Sequence, residues 1–164
     1  IVQINKGEVK GDFRLAFIPT IGPSVIPRFL MDFAKKYPQL NLHITEMQTD
    51  IILDQLKKGL IDAAVLATPL DAEGVIEKPL YYEPFMAFVP EIHRLYKEKF
   101  VSVKELDIND MLLLREGHCF RNSVLNLCGK NTVKKDKLAN VHLESGNFET
   151  LIKLGGLFLK SKVV

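Results

Sequence analysis

Apolar and polar residues follow two different rhythms along the first half of this chain, and the rhythm changes at prolines and glycines. Residues 13–18 form a short apolar, β-prone run that stops at Pro19, whose ring removes the amide a sheet ladder needs. This predicts a first strand. Gly22 and Pro23 then turn the chain. Val25, Phe29, Phe33 and Tyr37 recur at the spacing of one helix face, which predicts a helix over residues 24–36 with Pro27 in its first turn and Pro38 as its stop. Residues 40–46 alternate Leu, Asn, Leu, His, Ile, Thr, Glu as a half-buried strand does. Thr49 or Asp50 can cap a helix over residues 51–58 that Gly59 closes, and residues 62–67 supply a third strand. Strand, helix, strand, helix, strand at this spacing predicts an open, largely parallel α/β sheet.

The second half is less periodic. Residues 77–84, with Tyr81 and Tyr82 near a proline at either end, read as a crossover, and a strand is expected over residues 85–89. A lobe boundary falls here: residues 1–10 as a linker remnant, 11–82 as one lobe and 83–154 as a second. Residues 91–98 predict a polar surface helix holding a solvated His93. Residues 102–106 predict a short helix, with Ser102 and Glu105 as a capping box. A buried strand over residues 111–114 leads into Gly117-His118-Cys119, after which Val124, Leu125 and Leu127 mark a helix over residues 121–127. Residues 130–137 predict an exposed lysine-rich loop, residues 141–143 a brief strand with a structural His142, and Ser145 to Asn147 the cap of a helix over residues 148–154.

Composition narrows the class. With 47% hydrophobic and 26% charged residues, 164 residues are enough to bury a core, and a net charge of +2 without a basic tract argues against a nucleic-acid-binding arm in this stretch. No run of about 18 apolar residues marks a membrane span. The polar residues 1–10 lack the core of a signal peptide, so a cytoplasmic location is expected. The sequence lacks an initiating Met, so it is read as a fragment.

Both cysteines lie in one stretch, Gly117 to Cys128. A thiol reacts as its thiolate, which cationic neighbours or a helix N-terminus favour. Cys119 follows His118, precedes Arg121 by two residues and stands where the helix begins. Were residues 119–128 continuous helix, the two Cα atoms would be roughly 13 Å apart along the axis on opposite faces. A disulfide needs about 7 Å or less. The pair then either stays reduced, packed as buried cysteines commonly are, or joins only if the segment unwinds. No metal site is expected: there is no C-x2-C, and His43, His93 and His142 have no ligand spacing with the pair. Thr20 and Thr49 stand at predicted C-terminal strand ends, where α/β sheets bind ligands, although Thr20 equally suits its own turn and Thr49 a helix cap.

Gly-His-Cys-x-Arg with a second Cys nine residues after the first resembles the redox segment of the OxyR-like peroxide sensors among the LysR-type transcription regulators. Ile18-Pro19-Thr20-Ile21-Gly22-Pro23, Glu46-Met47-Gln48-Thr49 and Leu53-Asp54-Gln55-Leu56 resemble the same regulatory domain, in order, from about Gly11 to Leu154. The resemblance implies two Rossmann-like lobes of the type II periplasmic binding protein fold, with an incomplete C-terminal part. Residues 155–164 are then expected as a partial return to the first lobe. It also implies a regulator without enzymatic turnover or cofactor. Cys119 is then the peroxidatic thiol and Cys128 the resolving one, His118 and Arg121 favour the thiolate, and Thr20 and Thr49 hydrogen-bond hydrogen peroxide. Asn122 stands where some relatives carry an acidic residue. The partners implied are a second copy of the chain (dimer, and tetramer at full length), DNA through an N-terminal helix-turn-helix domain absent here, RNA polymerase, and a thiol reductant such as glutaredoxin or thioredoxin. Three rivals differ in observable ways. A LysR-type domain binding a small metabolite would tolerate Cys119→Ser, a solute-binding protein would need an export signal, and a hydrolase pairing Cys119 with His142 would turn over an ester or amide.

Overall fold

A computed structural model of the chain describes residues 3–5, 8–70, 72–108, 111–128, 145–156 and 161–163. It divides into two units, Ile1–Pro79 and Leu80–Val164, close to the predicted lobe boundary.

In the first unit β2 (Glu8–Phe17) runs through the middle of the sheet, with β3 (Leu40–Glu46) and β4 (Ala63–Val65) parallel to it. The register pairs Gly11 with Leu40 through Phe17 with Glu46, and Leu15 with Ala63 through Phe17 with Val65. Parallel strands need crossovers, supplied by α1 (Gly22–Lys36) and α2 (Thr49–Lys57). Where a linker is predicted, β1 (Gln3–Asn5) pairs antiparallel with the start of β2.

The core sits at the C-terminal end of β2. Ala16 and Ile52 are fully buried and Phe17 is 1% exposed. Phe17 stacks on Phe29, which meets Phe33 edge-on, which tilts against Tyr37, so the α1 stripe legible in the sequence is the face that packs. Pro23 lies in the first turn of α1, but the helix starts at Gly22, two residues earlier than predicted, which leaves Pro27 inside it. Within β2, just before the start of β4, the Arg14 guanidinium donates to both Asp62 carboxylate oxygens and to the Gly59 carbonyl, and the Asp62 carboxylate also accepts the Arg14 amide. These charged hydrogen bonds hold the Asp62 pKa down at about 2.

The second unit has less ladder. β5 (Phe88–Pro90) starts three residues later than the predicted strand, and Phe85 turns its ring to Phe120 instead. β6 (Ser161–Val163) pairs antiparallel with β5, inside the second unit, where the sequence suggested a return to the first. The helix predicted over residues 91–98 is a series of turns closed by i to i+3 bonds. His93 explains why: its Nδ1 accepts the Leu95 amide that a helix would have used, so this ring is tied down and not simply solvated. Val103–Glu105 forms a single 3-10 turn with the predicted Ser102 and Glu105 capping box. The strand expected over residues 111–114 reduces to one parallel bridge between Leu114 and Ser145, since Leu112 is 58% exposed and only Leu114, at 1%, is fully buried. Two helices follow, α3 (Cys119–Leu127) and α4 (Phe148–Gly156). The predicted loop over 130–137, the strand over 141–143 and His142 lie outside the described residues.

Candidate redox site

Gly117 has φ 88°, a left-handed conformation that glycine adopts without a Cβ clash, and it turns the chain from the buried Leu114 into α3. His118 follows with extended backbone as the N-cap residue, its carbonyl accepting the Arg121 amide at 3.0 Å. Cys119 is therefore the first residue of the helix, where backbone N–H groups lie unpaired and the helix dipole is positive. Its thiol is half-buried and free. Nothing from His118 caps the helix, so the amides of the first turn are not consumed by that side chain.

The anchor of α3 is aromatic. Phe120 tilts against Phe85 at 5.4 Å and meets Phe148 of α4 edge-on at 4.8 Å. Arg121 donates from Nη1 to the Leu114 carbonyl at 3.0 Å, which ties the first turn to the approach segment. Asn122 is exposed.

Cys128 ends the same helix as its C-cap, its amide bonded to Val124 at 3.0 Å. Its thiol touches the Met111 sulfur at 3.9 Å and is free. Burial first, and then the negative charge of Asp107, push the Cys128 pKa up, so at neutral pH this thiol is protonated. Residues 119–127 are continuous helix, hence the two thiols sit at opposite ends of one rod.

His118 is buried. Burial, and next the charge of Arg115, lower its pKa from the ordinary imidazole value, so at neutral pH it is not a cationic neighbour of Cys119. The sequence reading also passed over Arg115, Met111 and Gly146. Each is a common residue type with no local motif, and only the bridge between Leu114 and Ser145 brings Gly146 to His118.

Thr20 and Thr49 belong to the first unit, both at C-terminal strand ends as predicted. Thr20 is half-buried in the turn between β2 and α1. Thr49 is the first residue of α2 and caps nothing; Gln48 is the N-cap residue. The Thr49 hydroxyl is buried without a hydrogen-bond partner among the described residues. Among those residues no group of three or more His, Cys, Asp or Glu side chains could hold a metal ion, and no helix is long and apolar enough to cross a membrane.

The parallel sheet with its helical crossovers and the cysteine-bearing helix α3 define a class. The chain belongs to the LysR substrate-binding domain family, whose model matches residues 6–155. This is an α/β fold of the type II periplasmic-binding kind. Within the family its relatives are peroxide regulators. It is 36% identical over 149 residues to a "Probable hydrogen peroxide-inducible genes activator" of Mycobacterium leprae, covering 91% of this chain and 48% of that protein. It is 29% identical over 143 residues to the "DNA-binding transcriptional dual regulator OxyR" of Escherichia coli K12, covering 87% and 46%. A hydrogen peroxide-bound mutant of Corynebacterium glutamicum OxyR matches with a TM-score of 0.79 at 29% identity, covering 96% of this chain and 49% of that one. The reduced OxyR regulatory domain of Pseudomonas aeruginosa matches with 0.73 at 31% identity, covering 94% and 72%. The chain spans about half the length of the curated relatives it matches.

Proposed function

We propose that this domain senses hydrogen peroxide by oxidation of Cys119 and passes the signal on as a change in the fold of α3. The observation that carries this reading is the placement of two free thiols at the two ends of one helix, Cys119 at its first position and Cys128 at its C-cap. The Cys119 thiolate attacks one peroxide oxygen, the O–O bond breaks, and hydroxide leaves to give the sulfenic acid. The protonated Cys128 then gives up its proton as its sulfur displaces the hydroxyl, forming the disulfide and water. The raised pKa of Cys128 supports this order, since a thiol held protonated is the poorer first attacker. Because a disulfide needs Cα atoms within about 7 Å, closure requires α3 to unwind, which biases the domain between two arrangements.

The hydroxyls of Thr20 and Thr49 hydrogen-bond the peroxide in this reading, which the unpartnered Thr49 oxygen supports. Arg121 keeps the first turn of α3 in place and adds positive charge near the thiol. The domain itself catalyses no turnover and needs no cofactor. In the whole protein it acts in the cytoplasm as a dimer or tetramer, controls transcription through a helix-turn-helix domain on DNA and contact with RNA polymerase, and is reset by glutaredoxin or thioredoxin.

The test is peptide mapping by mass spectrometry after one equivalent of hydrogen peroxide is added to the reduced protein and free thiols are alkylated. A rapid Cys119 to Cys128 crosslink is expected, lost in Cys119→Ser. In Cys128→Ser a sulfenic acid accumulates and is trapped by dimedone. Two unreacted, alkylated cysteines in the wild type would refute the sensor and leave a metabolite-binding effector domain as the reading.

A further inference from the structure

His118 is the part of the redox segment that the oxidation chemistry leaves unused. Its side chain lies within a residue that is 5% exposed, and its Nε2 is buried without a hydrogen-bond partner among the described residues. Gly146 packs against that atom, and the Arg115 guanidinium packs against the same glycine. A Cβ placed on Gly146 would lie 3.2 Å from His118 Nε2 and 3.1 Å from Arg115 Nε, closer than ordinary van der Waals contact. The backbone of Gly146 is outside the left-handed region, so its missing side chain answers to space and not to torsion. Nor can Gly146 readily back away: the preceding carbonyl, of Ser145, accepts the Arg115 amide at 2.8 Å, and Leu114 bridges Ser145.

A guanidinium stays charged and has no acceptor to offer an imidazolium, so beside a buried ring it opposes a second positive charge. Among the described residues, the other groups nearby do not reverse this. Ser145, Gly146 and Asn147 carry no charge, Glu116 is exposed, and on α3 the nearest titratable groups are Cys119 and Arg121, the latter bonded to the Leu114 carbonyl.

We propose that Arg115 is a positioning residue for the chemistry of Cys119: across the side-chain-free Gly146, its guanidinium adds to the burial that disfavours a charge on the imidazole of His118, beside the residue that carries the thiol. His118 therefore withholds the charge that would promote the thiolate, and Arg115 sets how readily Cys119 reacts. The lowered pKa of His118, due first to burial and then to Arg115, agrees with this. The inference rests on Cys119 as the attacking thiol.

The experiment titrates the His118 ring by NMR in the reduced chain, its signal assigned with His118→Gln, and measures the pH profile of Cys119 alkylation by iodoacetamide with mass mapping. Arg115 is exposed, so Arg115→Gln is compatible with folding. It should raise the His118 midpoint and speed alkylation several-fold between about pH 6 and 7, whereas Arg115→Lys, which keeps the charge, should hold both near wild type. Gly146→Ala, which drives Arg115 outward because His118 cannot move, should shift the midpoint the same way as Arg115→Gln. An unmoved midpoint in Arg115→Gln, or a moved midpoint with unchanged alkylation, would overturn the proposal. Neither readout uses peroxide. If peroxide leaves Cys119 unreacted while Arg115→Gln moves both readouts, the sensor reading fails, and Arg115 is left as tuning the reactivity of the Cys119 thiol toward alkylation alone.

Discussion

The two units are held together by different kinds of bond. In the first, β2 is paired on both sides, with β3 along seven residues and with β4 along three, and Arg14 within it is bonded to Asp62. In the second, the described ladder is the three-residue pairing of β5 with β6 and one bridge, and among the described residues α3 is fixed by the Phe85, Phe120 and Phe148 rings, by the Arg121 bond and by the Cys128 contact with Met111. Backbone ladders break cooperatively, whereas a helix held by side chains can be lost locally while the rest stands. In the proposed switch the first unit is the scaffold and the second carries the movement, and α3, which would unwind for the thiols to meet, is the element whose described contacts are side-chain ones.

The largest expected effect tests the scaffold. Phe17→Ala, at a position 1% exposed in the sheet core, should cost about 3–5 kcal/mol in chemical denaturation. Phe120→Ala removes a ring that is only half-buried and should cost about 1–2 kcal/mol. It should also speed disulfide closure by loosening α3, measured as the rate of crosslinking after peroxide; equal costs at the two positions, with no change in rate, would erase the contrast. Gly117→Ala places a Cβ at φ 88° and should cost about 1–2 kcal/mol, concentrated in the second unit and read as faster amide exchange in α3.

Thr49→Val should change stability by less than about 1 kcal/mol, because it deletes a buried hydroxyl that bonds nothing among the described residues, yet it should slow oxidation of Cys119 by peroxide. A large loss of stability would make the hydroxyl structural. The smallest effects separate the units by pH. Asp62 has a folded pKa lowered to about 2, so its contribution is present above its unfolded value near 3.8 and is lost as pH falls toward 2. His118 also has a lowered pKa; the unfolded chain takes up that proton more readily, and stability declines as pH falls below about 6.5. Melting curves against pH should therefore show a first decline below about pH 6.5 that His118→Gln diminishes, and a second below about pH 4 that Asp62→Asn diminishes, the rest of it belonging to Asp12 and Glu149.

These same contrasts explain what could be read early. The α1 stripe of Phe29, Phe33 and Tyr37 and the alternation of residues 40–46 were visible because one helix face or one strand face recurs at a fixed period. In the second unit the cues conflicted. Residues 91–98 have a helical composition, but the His93 ring takes the Leu95 amide, and residues 111–114 look like a strand although only Leu114 finds a bridge. The thiol segment was legible for a different reason, since Gly117, His118, Cys119, Arg121 and Cys128 are close in sequence and their spacing alone separates the thiols once a helix forms.

By itself the sequence determined the α/β order of the first unit, a helix over residues 121–127 that the structure starts two residues earlier, at Cys119, and the pairing of chemistry within one nine-residue rise, because all of these depend on neighbours along the chain. Tertiary structure decided the rest. It buried His118 and brought Arg115 and His118 to the two sides of Gly146, which disfavours a charge on the imidazole; it left the Thr49 hydroxyl without a partner among the described residues; and it gave Cys128 a Met111 neighbour and a raised pKa. Charge state and hydrogen-bond satisfaction depend on what surrounds a group in space, and residues such as Arg115 and Gly146, 31 positions apart, meet only when the chain has folded.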